Sequence, residues 1–185
     1  GEQASIFRNV GDDVDSIDDA TSIMISTMKA FGIEAENVSS IIDKLNEVSN
    51  TYAITSGGIG NALTRSASAA FSAGNTLDQT IAMITAANQV VQNPEVVGTT
   101  IRTLSLRLRG AKTELEEASL DTDGMATSVS SLRKEIAALT NVDGSGGFDI
   151  LTDSGSFKST YDILLGIGKV WGQISDINQA ALLEL

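Results

Sequence analysis

The chain has neither cysteine nor histidine among its 185 residues. Without cysteine there is no disulfide framework, no thiol nucleophile and no thiolate zinc site. Without histidine there is no Ser-His-Asp triad, no HExxH zinc site and no imidazole for acid–base catalysis. Most hydrolase mechanisms are therefore excluded, and no catalytic residues and no cofactor are predicted.

Aromatic residues make up only 4% of the chain, and Pro94 is its single proline. β-Sandwiches and barrels use aromatic and β-branched strands separated by glycine and proline, so this composition argues against them. Apolar residues reach 42%, which is enough for a packed core. No run approaches the roughly 18 consecutive apolar residues of a membrane span, and no signal peptide is visible.

The apolar spacing predicts a mainly α protein, a multi-helix bundle of about six to eight helices. Thr76 followed by Gln79 indicates a capping box, and Asn93-Pro94-Glu95 is a typical helix start. The run TLSLRLR alternates like a strand. We nevertheless predict a helix there, because it continues a 3.6-residue apolar pattern between Pro94 and Gly110.

Glycines are expected to interrupt the helices at two places. Gly57-Gly58 is interpreted as a helix-breaking turn that precedes a stripe of small residues, Ala62, Ser66, Ala70 and Gly74. Such a stripe lets a neighbouring helix approach closely. The Gly-rich run near 147–158 predicts a short β-hairpin or an ordered loop.

One domain, or two small ones, fits the length. We expect 1–185 to be a single helical module, with a helical core at about 13–140, a loop or hairpin at 141–158 and C-terminal helices at 159–185. The chain opens on Gly1 and stops within an apolar run, which suggests a piece of a longer protein.

Acidic residues outnumber basic ones by 24 to 12, which gives a net charge of −12. Only residues 51–112 are net positive, with five bases against two acids. An acidic field repels nucleic acid and anionic membranes, so no specific nucleic-acid binding is expected.

Two sets of residues are candidate sites. Asn141, Asp143, Ser145 and Asp149 fall at positions 1, 3, 5 and 9 of a twelve-residue calcium loop that has glycine at position 6. Thr152 occupies the twelfth position, where a bidentate carboxylate is needed, so a simple Gly-rich loop is the alternative. Arg102, Arg107, Arg109 and Lys112 form a basic cluster that could bind an acidic partner or be a solvated helix face.

The run from Thr51 to Gly110 resembles phage tail tape measure proteins. The similar features are the Ala-rich helix after Gly57-Gly58 and the run TAANQVVQNPEVVGTTIRTLSLRLRG. Residues 157–185, FKSTYDILLGIGKVWGQISDINQAALLEL, are similar to the segment that follows this core in tape measures of phages and prophages of Gram-positive bacteria.

The resemblance implies a structural role. Tape measure proteins set tail length while tail-tube subunits polymerise around them, and they leave through the tube when the genome is delivered. The implied partners are the tail tube protein, tail assembly chaperones and tail-tip proteins, and self-association is open. The implied location is the tail lumen of the virion, after assembly in the host cytoplasm.

Two other functions fit the composition. One is a helical interaction module of a bacterial surface or secretion-system protein, with the basic cluster as its binding site. The other is a fragment of a lytic glycosidase that uses Glu and Asp, although no acid–base pair stands out.

Overall fold

A computed structural model describes all residues, 1–185, and is mainly helical, with 69% of residues in helices and no strands. Its ten α-helices are α1 (Glu2–Val10), α2 (Ile17–Phe31), α3 (Val38–Thr51), α4 (Ser56–Ser72), α5 (Leu77–Val91), α6 (Pro94–Arg107), α7 (Lys112–Glu117), α8 (Val129–Leu139), α9 (Thr160–Val170) and α10 (Asp176–Glu184). Short 3₁₀ turns cover Ala35–Asn37 and Trp171–Gln173. None of the helices combines the length and the apolarity needed to cross a bilayer.

The helical class is confirmed, but the predicted number of six to eight helices is wrong. The two helices that were not predicted are α1 and α7. Only Ala4 and Phe7 are buried in α1, and only Leu115 in α7. So few buried positions give too short a pattern to distinguish a helix from a polar connection.

The predicted helix ends are confirmed by cap geometry. The Thr76 hydroxyl accepts from the Gln79 amide at 3.1 Å, and the Gln79 side chain accepts from the Thr76 amide at 3.0 Å. The Asn93 side chain accepts from the amide of Val96 at the start of α6. These bonds satisfy amide groups that have no partner within the helix.

The chain divides into two compact units, Gly1–Arg102 and Thr103–Leu185, and the boundary falls within α6. The prediction of a single module, with a loop at 141–158 between a core and C-terminal helices, stays a prediction, because compact units can fold together or separately.

The first unit is built around α4, which packs against α2, α3 and α5. Three members of the predicted stripe of small residues, Ala62, Ser66 and Ala70, are fully buried in this unit. The fourth, Gly74, is exposed and lies beyond the end of α4. A Cβ atom on Gly98 of α6 would lie 2.8 Å from the Cα atom of Ala62. The absence of a side chain on Gly98 therefore permits backbone-to-backbone contact between α4 and α6.

The interpretation of Gly57-Gly58 as a helix-breaking turn is wrong, because both glycines lie in the first turn of α4. Thr55 caps this helix, and its hydroxyl accepts from the Gly58 amide at 3.0 Å. The Gly57 amide donates to the carbonyl oxygen of Asp12 at 2.7 Å. Glycine is needed here for the close approach of the 11–13 loop and not for a turn.

The second unit has a core of four buried residues, Leu132, Ile136, Ile150 and Ile163, from α8, the following loop and α9. Partly buried residues such as Phe148 and Phe157 pack against it. The ring of Phe148 lies where a side chain on Gly166 would be, so α9 has room for the loop to fold onto it.

The predicted β-hairpin near 147–158 is not formed. One isolated antiparallel bridge joins Leu151 to Phe157, and the Thr152 amide donates to the Ser156 carbonyl at 2.8 Å. Gly155 takes a positive φ of 80° in the tight turn between them. With a single bridging pair, the segment is an ordered loop, which was the other option for this run.

Candidate interaction surface

Arg107, at the end of α6, joins three parts of the second unit. Its Nε donates to the carbonyl oxygen of Leu185 at 3.1 Å. Its Nη1 donates to the carbonyl oxygen of Asp121 at 3.3 Å, and its Nη2 to that of Asp123 at 2.5 Å. The guanidinium group is half-buried and so fixes the loop after α7 and the end of the chain against α6.

Arg109 holds a different loop. Its Nη2 donates to the carbonyl oxygen of Lys158 at 3.1 Å, and its guanidinium carbon lies 4.3 Å from the centre of the Phe157 ring. Burial lowers the pKa of the Arg109 guanidinium from its usual value. A cation over an aromatic face stabilises the pair, so Arg109 ties α6 to the segment that leads into α9.

The other two members of the basic cluster are placed differently. Lys112 is exposed in α7 and forms an ion pair with Glu116 at 3.8 Å, one helical turn away. Arg102 is half-buried on α6, at the end of the first unit. Partner binding by the cluster stays a prediction. Among its four members, Arg107 and Arg109 make internal hydrogen bonds to backbone carbonyls, which residue spacing cannot reveal.

In the calcium-loop candidate, Asn141 and Asp143 bind the loop's own backbone. The Asn141 Oδ1 atom accepts from the Gly146 amide at 3.2 Å, and the Asp143 Oδ1 atom from the Ser145 amide at 2.9 Å. Hydrogen bonds from Ser145 lower the pKa of the Asp143 carboxyl. These contacts shape an exposed turn at the end of α8.

Asp149, the fourth member of the calcium-loop candidate, is engaged by Arg133 of α8. Both carboxylate oxygens accept from the guanidinium group, with Nε to Oδ1 at 2.7 Å. This pairing, with a further bond from the Leu151 amide, lowers the pKa of the Asp149 carboxyl to about 2. No group of three or more acidic residues could hold a metal ion. The calcium loop stays an untested candidate beside the simple Gly-rich loop, and Arg133 would compete with the ion for Asp149.

An apolar cleft of about 670 Å³ lies in the second unit. Its walls come from α6, α8, α9, α10 and adjoining loops, and they include Leu104, Leu108, Ile167, Trp171 and Leu182. Trp171 is half-buried beside this cleft. The sequence did not reveal the cleft, because its walls come from segments separated by more than 50 residues.

The family model described as phage-related minor tail protein matches residues 2–184. The chain belongs to this family. No solved structure matches the chain. Membership in a phage minor tail protein family supports a structural role in the phage tail, with other tail proteins as partners.

Proposed function

We propose that this chain is a segment of a tape measure protein, which sets tail length during assembly and leaves through the tail tube at genome delivery. The observation that carries the proposal is the match to phage minor tail proteins over residues 2–184. The resemblance of residues 51–110 and 157–185 to tape measure proteins supports this specific role within the family.

The helix lengths favour a folded module over a continuous rod. The longest helix, α4, has 17 residues. At a rise of 1.5 Å per residue it is about 26 Å long, whereas a single helix of the whole chain would extend about 280 Å. The segment would therefore enter the tail as compact helical units of a longer ruler.

The charge of both units suits a protein that shares a conduit with DNA. Residues 1–102 carry 12 acids and 5 bases, and residues 103–185 carry 12 acids and 7 bases, for net charges of −7 and −5. Like charges repel the phosphate backbone, so neither unit would adhere to the passing genome. We propose a non-enzymatic role without specific nucleic-acid binding.

The proposed partners are the tail tube protein, the tail assembly chaperones and the tail-tip proteins. The proposed location is the tail lumen, after assembly in the host cytoplasm. The family match gives no support to a bacterial surface or secretion-system module.

Quantitative mass spectrometry of intact purified tails, from the phage whose genome encodes this chain, tests the proposal. We expect its peptides at a few copies per tail, against many copies of the tube protein. We also expect them to resist added protease until DNA ejection is triggered. The exposed tail-tip proteins provide the control for protease access. Absence from assembled tails, or digestion before ejection, would contradict a ruler in the lumen.

A further inference from the structure

A groove runs between α3 and α5 on the first unit. It consists of two adjoining cavities of about 490 Å³ and 630 Å³, both lined by Tyr52 and Gln89. Val48 of α3 and Ile81 of α5 line the first cavity, and Ile54 lines the second. The first cavity therefore offers apolar walls, whereas the second is lined largely by polar side chains such as Ser49 and Gln92.

Two buried polar side chains on α5 line this groove without satisfying their hydrogen-bonding atoms. Asn88 is only 4% exposed, and its Nδ2 donates to the carbonyl oxygen of Ala53 at 3.2 Å. Its Oδ1 atom has no hydrogen-bond partner, and neither has the hydroxyl of Thr85, which is 7% exposed. A buried polar atom without a partner destabilises the folded state, so a donor that reaches Asn88 Oδ1 would be favoured.

The rim of the groove is acidic. Asp12 and Asp13 line the second cavity, and Glu47 and Asp78 line the first. Lys44 is the one basic lining residue in the two cavities, and it is already paired with Asp78 at 2.6 Å. The groove therefore attracts positive charge, in keeping with the net charge of −7 on this unit.

The loop that carries Asp12 and Asp13 is fixed in place. The Asp12 carbonyl accepts from the Gly57 amide at 2.7 Å, and Asp13 takes a positive φ of 56°. Backbone of this kind is maintained only where the surrounding structure determines it. The backbone that carries the two exposed carboxylates is thus fixed beside the second cavity, which the exposed Tyr52 also lines.

We propose that this groove binds a segment of a partner protein that carries an arginine or lysine next to an aliphatic residue. The cationic side chain would donate to Asn88 Oδ1 and pair with the Asp12 and Asp13 carboxylates. Arginine and lysine side chains are long and carry only donors, which suits a buried acceptor beside an acidic rim. The aliphatic neighbour would pack on Ile81 and on Tyr52, whose ring is 54% exposed. This surface does not depend on the tape measure role.

Selection from a random 12-residue peptide display library, with the full 185-residue chain immobilised, tests the proposal. We expect recovered peptides to be enriched in arginine or lysine beside leucine, isoleucine or valine. Affinities of synthetic copies would then be measured by fluorescence anisotropy. In an Asp12→Asn/Asp13→Asn variant, binding should weaken about tenfold, because both exposed ion pairs with the cationic side chain are lost. Asparagine tolerates the positive φ at position 13.

The matched control is Glu34→Gln/Glu36→Gln, which makes the same change in net charge at exposed positions of the same unit outside the groove. This control should bind with nearly unchanged affinity. Tyr52→Ala, at an exposed position, should also weaken binding while leaving the helical circular dichroism intact. Peptides without basic enrichment, failure to recover any peptide, or equal affinities for the groove variant and the control would overturn the proposal.

Discussion

Replacing Gly57 by alanine tests the close approach that fixes the start of α4. A Cβ atom at this position would lie 1.9 Å from the carbonyl oxygen of Asp13 and 2.4 Å from its carbonyl carbon. Real Cβ atoms essentially never come closer than 3.0 Å to other heavy atoms. The 11–13 loop would therefore have to withdraw by about 1 Å, since both obstructing atoms belong to the backbone.

The expected cost follows from three contributions. Overpacking costs about 1–3 kcal/mol, and loss of the hydrogen bond from the Gly57 amide to Asp12 costs about 1 kcal/mol. Alanine in place of glycine returns up to about 1 kcal/mol through its higher helix propensity. The free energy of unfolding of the first unit should therefore fall by about 2 kcal/mol.

Gly168→Ala is the matched control, because Gly168 is also helical but has no atom within 4 Å of the added Cβ. This variant should gain about 0.5–1 kcal/mol of stability. Urea unfolding followed by circular dichroism at 222 nm measures both changes. A Gly57→Ala protein as stable as the parent, or stabilised like the control, would refute the close approach.

Three further changes probe individual contacts. Thr27→Val should raise the free energy of unfolding by about 1 kcal/mol, because the buried Thr27 hydroxyl has no hydrogen-bond partner. Arg107→Lys should lower the stability of the second unit by about 1–2 kcal/mol, since lysine cannot bind three separated carbonyls. The pKa of Asp149 is about 2 in the folded state and 3.8 in the unfolded chain, so the ionised carboxylate stabilises the folded state at pH values above 3.8. This contribution is lost as the pH falls toward 2. The stability advantage of the parent over Asp149→Asn should therefore shrink between pH 4 and 2. Urea unfolding monitored by fluorescence of Trp171, the only tryptophan, reports both changes in the second unit.

Controls distinguish these effects from general damage. Thr80→Val removes a buried hydroxyl that donates to the Thr76 carbonyl at 2.8 Å. Unlike Thr27→Val, it should therefore not raise the free energy of unfolding. Arg65→Lys alters an exposed ion pair with Glu95 and should change stability by less than about 1 kcal/mol. Equal effects within either pair, or a pH-independent difference for Asp149→Asn, would contradict the assigned contacts.

Local sequence signals located most of the fold because they depend on neighbouring residues. The Thr76-Gln79 box and the Asn93-Pro94 start each act within one helical turn, and each is formed in the structure. The helical period also correctly overrode the strand-like alternation of TLSLRLR.

The unpredicted features depend on contacts between distant residues. Gly57 was interpreted as part of a turn, whereas glycine is needed there because the backbone of Asp12 and Asp13 approaches closely. Those residues lie more than 40 positions earlier in the chain, so the local sequence does not indicate the contact. Arg107 donates to backbone carbonyls, which every residue carries, so the sequence contains no pattern of side chains that would indicate these contacts. The groove between α3 and α5 depends on the unsatisfied Asn88 Oδ1 atom, which only the folded backbone reveals.

The length of tails assembled with a duplicated copy of this 185-residue segment tests the central claim most directly. A phage carrying the in-frame duplication would be examined by electron microscopy beside its parent. We expect a uniform population of longer tails. The increase should be less than the roughly 280 Å of a continuous helix, because the segment consists of compact units of short helices. Assembled tails of unchanged length would contradict a length-determining role.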